Sequence, residues 1–117
     1  WGFAAATRTG PHPSPGNSMV GSNLAMVAQT KNGVLFSDLT ACARYEDAVS
    51  TAATLSLPVS FLLGAADKMT PVRAARPLID AVDHATVEIV PGVGHMVMIE
   101  APAVTRTSIA GVLGSRV

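Results

Sequence analysis

Two short runs rich in β-branched and aromatic residues, 59–63 (Val-Ser-Phe-Leu-Leu) and 86–90 (Thr-Val-Glu-Ile-Val), constrain this chain more than anything else in it. Each run ends in a Gly-containing turn. Between them Ala74, Ala75, Leu78, Ile79 and Val82 recur at helical spacing. A connection of that length and pattern is a parallel strand–helix–strand crossover, which returns the second strand pointing the same way as the first. The first turn carries Asp67 and the second carries His95. Open α/β sheets place their chemistry at the carboxyl ends of such strands, so the pattern predicts a carboxylate and an imidazole at one edge.

The flanking signals agree. Pro58 opens the first strand, where a missing N–H does least harm. The run after it is almost uniformly apolar, which predicts a strand covered on both faces. Thr70 and Pro71 read as the N-cap and first-turn proline of the crossover helix, and Pro77 inside it is expected to kink or split it. Pro91-Gly92-Val93-Gly94 turns the chain sharply before His95, and Pro102 starts a last helix that Gly114 can stop.

Gly64-Ala65-Ala66-Asp67, Thr70-Pro71 and Gly92-Val93-Gly94-His95, followed by Glu100-Ala101-Pro102, resemble the C-terminal part of an α/β-hydrolase. The likeness covers residue 57 onward, about half the chain. It implies an α/β fold class: a partial α/β-hydrolase fold, its last two parallel strands with flanking helices, preceded by helices from the cap region. Residues 1–56 would then be loop and helices at the end of the cap, and 57–117 the strand-helix-strand-helix part of the core. In that family the triad runs nucleophile, acid, histidine along the chain, which makes Asp67 the acid and His95 the base. The histidine would relay the nucleophile's proton to the leaving group, suited by an ordinary imidazole pKa of about 6.5. The aspartate would fix its tautomer and stabilise the imidazolium.

A Gly-x-Ser-x-Gly elbow does not occur in the sequence. Its nearest imitation, around Ser18, has Val20 where a small residue is needed and a Pro-rich loop where a strand should be. The resemblance therefore implies a fragment whose nucleophile-bearing N-terminal part is absent, inactive alone, serving hydrolysis of an ester or similar acyl compound. Its partners would be that missing part and a small-molecule substrate, with no cofactor. Two alternatives are a dehalogenase or other non-esterase member of the superfamily, and a non-catalytic interaction module.

Composition narrows the rest. Eight basic and eight acidic residues cancel without a Lys/Arg cluster, which gives nucleic-acid binding no support. Charged residues make up 14% and hydrophobic ones 49%, a balance suited to a piece with much interior and little surface. The longest apolar stretch, near residues 57–66, is too short to cross a membrane, and no charged and apolar leader is visible, so a cytoplasmic protein is expected. His12, His84 and His95 lack metal-ligand spacing, and Cys42 reads as a buried structural thiol.

Residues 1–21 alternate Gly and Pro with small polar residues and predict loop, with the apolar start at Trp1 and Phe3 packed on a neighbour. Ser22 can cap a helix over 23–30 that stops at Asn32-Gly33. Asp38 can cap a longer one over 39–55, with Leu39, Cys42, Tyr45, Val49 and Ala52 as its apolar stripe.

Overall fold

The two apolar runs do form the sheet. The structure is a computed structural model that describes residues 2–4, 7, 10 and 12–114. Strands β1 (Ser60–Gly64) and β2 (Thr86–Val90) pair in parallel, with Ser60 opposite Thr86 and Gly64 opposite Val90. Helix α4 (Val72–Ala81) makes the crossover between them. Helices α1 (Met19–Gln29), α2 (Val34–Arg44) and α3 (Ala48–Ala52) precede the sheet. The short α5 (Val97–Glu100) and the longer α6 (Pro102–Gly114) follow it. The expectation placed on Trp1 lies outside the described residues.

Alternation along β1 divides the molecule into layers. On one face Phe61 lines an apolar concavity with Ala52 of α3, Leu78 of α4 and Val82 just after it. On the other, Leu62 packs with Val90, Val93 and Val97, joined by Ala101 at the end of α5 and Val104 in the first turn of α6. The coverage of both faces expected for the first strand does not materialise: β1 is half-buried at Phe61, Leu62 and Leu63, and in β2 only Val90 is buried. Among the described residues no third strand extends the sheet.

The helices before the sheet depart furthest from expectation. Helix α1 begins at Met19, and Ser18 rather than Ser22 caps it, its Oγ accepting the Gly21 N–H at 2.9 Å. The long helix over 39–55 is two helices. Gly33, at φ 88°, lets α2 start early, and Tyr45 takes an extended conformation that ends it. The Asp47 carbonyl then starts α3 by accepting the Ser50 hydroxyl at 3.1 Å and the Thr51 N–H at 2.9 Å. Such local side-chain bonding competes with helix continuation. Helix α2 has no buried residue: Phe36 is 77% exposed, and Cys42 is exposed instead of buried.

Pro77 does not split its helix; α4 runs unbroken from Val72 to Ala81. Loss of one N–H, opposite the Arg73 carbonyl, is offset by burying Val82 and half-burying Ala75, Leu78 and Ile79. The radius of gyration, 16.0 Å, exceeds the roughly 13 Å of a compact domain near this size. Burial is correspondingly sparse in α1 and α2, where Met19 alone is buried.

Candidate active site

The loops after β1 and β2 are bonded to each other before any functional side chain enters. The Ala65 N–H donates to the Val90 carbonyl at 3.0 Å and the Ala66 N–H to the Val93 carbonyl at 2.8 Å, carrying the ladder past the strand ends. The Asp67 N–H closes its own turn on the Gly64 carbonyl at 3.2 Å. Gly64 permits this approach, since a Cβ there would stand 2.1 Å from the Gly94 carbonyl oxygen. Gly92, at φ 71°, supplies the reversal on the β2 side.

Those two loops bring the predicted residues together. Asp67 Oδ2 lies 2.9 Å from His95 Nδ1. The Asp67 side chain is 8% exposed and that of His95 36%. Oδ1 accepts the N–H groups of Met69 at 2.8 Å and Thr70 at 3.0 Å, while Oδ2 also accepts the Thr70 hydroxyl at 2.8 Å. Burial pushes the Asp67 carboxyl up, but the bonds from His95, the Thr70 amide and hydroxyl, and the Met69 amide outweigh it. The pKa falls from 3.8 to about 2. An ionised carboxylate can only accept, so Nδ1 carries the proton and Nε2 carries the lone pair. Among the described residues nothing hydrogen-bonds Nε2.

Two participants escape a sequence reading. Thr70 does not cap α4, which has no side-chain cap; its hydroxyl donates to Asp67 Oδ2 and lies 3.1 Å from His95 Nδ1 as a second acceptor. Thr70→Val, which keeps the shape and removes the hydroxyl, is expected to raise the Asp67 pKa above about 2, with Thr70→Ser leaving it in place. Carboxyl carbon titration by NMR reads both, and an unmoved Asp67 in the valine variant would discount the hydroxyl. The second participant is Glu100, whose carboxylate accepts the Gly94 N–H at 3.0 Å and the Met96 N–H at 3.2 Å. Ser18 is engaged in capping α1, in keeping with its rejection as a nucleophile.

Acid should act on this pair with a definite sign. Because folding lowers the Asp67 pKa, its contribution is complete above about pH 4 and is lost as pH falls toward about 2. In circular-dichroism titrations the Asp67→Asn variant is expected to lack that component, so the two proteins converge below about pH 2. Parallel acid curves for both would show that Asp67 contributes nothing to stability.

A cavity of about 240 Å³ opens at the opposite end of the sheet, among Pro58, Ser60, His84 and Thr86, away from Asp67 and His95. His84 occupies the left-handed region there at φ 59°. No helix among the described residues is long and apolar enough to cross a membrane.

No protein-family model matches this chain, and no curated protein sequence does. Among solved structures it is similar to a His-tagged serine hydrolase involved in carbazole degradation, the CarC enzyme. The sequences are 27% identical over 56% of this chain, with a TM-score of 0.53. The match spans 26% of the hydrolase's length, about a quarter. Two parallel strands with flanking helices are thus the part of that fold present here.

Proposed function

We propose that this chain is the C-terminal part of an α/β-hydrolase, supplying the acid, Asp67, and the base, His95, of a nucleophile–histidine–acid triad that hydrolyses an ester or similar acyl substrate. One observation carries the proposal: the Asp67–His95 contact of 2.9 Å at the carboxyl ends of parallel strands, with Nε2 left without a partner among the described residues. The likeness to a serine hydrolase supports the same chemistry. In the reaction Nε2 takes the nucleophile's proton as it attacks the acyl carbon and returns it to the leaving group, while Asp67 holds Nδ1–H and stabilises the imidazolium. The nucleophile and the amides that receive the oxyanion belong to a complementary part. The apolar surface left uncovered on β2 and α2, with Val87, Ile89, Leu35 and Phe36 exposed, is what that part and the rest of the cap would cover.

The test is expression of the gene together with any coding sequence in frame before the Trp1 codon, assayed with p-nitrophenyl esters and a fluorophosphonate label. Ester turnover with a labelled serine is the expected result, and the 117-residue chain alone should give neither. Haloalkane hydrolysis through an aspartyl ester would move the proposal to the dehalogenase type. A complete reading frame inactive in all these assays would remove catalysis from the account.

A further inference from the structure

The backbone around His95 is held by one carboxylate. Gly94 and Met96, the residues on either side, both donate their N–H groups to Glu100, at 3.0 Å on Oε2 and 3.2 Å on Oε1. The N–H of His95 itself donates to the Gly2 carbonyl at 2.7 Å, which Met96 shares at 3.3 Å. Glu100 Oε2 also accepts the Ala4 N–H at 3.0 Å and the Thr7 hydroxyl. Every donor is neutral, and among the described residues no basic side chain pairs with Glu100. A carboxylate so placed is satisfied only by this set of N–H and O–H groups, and each bond is charge-assisted. Gly94 makes the junction possible, because a Cβ there would stand 2.4 Å from the Ala4 nitrogen.

We propose that Glu100 is a positioning residue for His95: it fastens the loop that carries the imidazole to Gly2, Ala4 and Thr7, and the ring faces Asp67 while those residues are docked. This rests on the Asp67–His95 pair as the acid and base. Glu100 makes no hydrogen bond to the imidazole and acts through the peptide groups on either side of it. The consequence is a link between a segment that precedes the helices α1–α3 and the base that follows them.

Amide exchange and histidine-ring nitrogen shifts, followed by NMR on the ¹⁵N-labelled polypeptide that joins this chain to its complementary part, test this. In Glu100→Ala the Gly94 and Met96 amides should exchange about tenfold faster or more, with the α4 amides unchanged, and the His95 ring should lose its Nδ1–H signature. Glu100→Gln makes a finer distinction. A carboxamide offers one acceptor oxygen, and three of the four donors converge on the Oε2 position. Met96 should therefore exchange faster, keeping only its longer bond to the Gly2 carbonyl, while Gly94 stays protected, a split that decides the matter even if the alanine variant fails to fold. Unchanged exchange at both amides, or an unchanged ring signature beside faster exchange, would overturn the proposal. Asp67→Asn separates the two levels. If the wild-type ring shows no Nδ1–H signature and Asp67→Asn leaves it unmoved, the pair itself is wrong and the positioning role goes with it. A pair present and sensitive to Asp67 but indifferent to Glu100 removes the positioning role alone.

Discussion

Replacing His95 by alanine, in the polypeptide that joins this chain to its nucleophile, is expected to lower ester turnover by roughly four to six orders of magnitude with KM little changed. The size follows from what the imidazole does. Without it the attacking group keeps its proton and the leaving group departs unprotonated, while the amides that bind the oxyanion still hold the substrate. Asp67→Asn is expected to cost about 10⁴ in turnover by another route. Asp67 now accepts from Nδ1, from the Thr70 hydroxyl and from two backbone amides. A carboxamide can satisfy only some of these donors, and its NH2 group, turned to Nδ1, would select the tautomer that puts the proton on Nε2. The base is then present and facing the wrong way. Initial-rate kinetics on p-nitrophenyl esters decide this, and a His95→Ala enzyme within about tenfold of wild type would dismiss the triad assignment.

How far the sequence could be read depended on where each residue finds its partners. The strands and the crossover helix were legible because their signals are local: β2 lies at Thr86–Val90 as expected, β1 is displaced by one residue, and α4 follows its apolar spacing. Asp67 and His95 were legible because parallel strand direction alone brings their two turns to one edge. Helices α1 to α3 were misread at their ends for the opposite reason. The stripe through Leu39, Cys42 and Tyr45 has the period of a buried face, yet all three are exposed, so no packing enforces the continuous helix that the period implied. Thr70 was misassigned because Thr-Pro is an ordinary helix-start signal, and only the folded loop shows Asp67 taking the hydroxyl. Glu100 stood in the pattern that carries the resemblance, but its role gave no local signal: half of its donors come from Ala4 and Thr7, more than ninety residues earlier.

The largest stability effect is expected at a residue that touches no substrate. Gly64→Ala should destabilise the fold by about 3 kcal/mol or more, lowering the thermal midpoint by roughly 10 °C or more. An alanine Cβ would sit 2.1 Å from the Gly94 oxygen and 2.5 Å from the Val93 oxygen, both backbone atoms that no rotamer change can move aside. Relief requires the two loops to separate, which breaks the Ala66 N–H bond to Val93 and carries His95 away from Asp67. Gly111→Ala is the matched control: it lies inside α6 with nothing within 4 Å of the added carbon. There the same methyl should stabilise by about 0.5–1 kcal/mol through helix propensity alone. Opposite signs at the two positions would show that Gly64 is required for the close approach of the β1 and β2 loops. Equal midpoints would mean those loops have slack, and the Asp67–His95 distance would then owe nothing to the tight crossing beneath it.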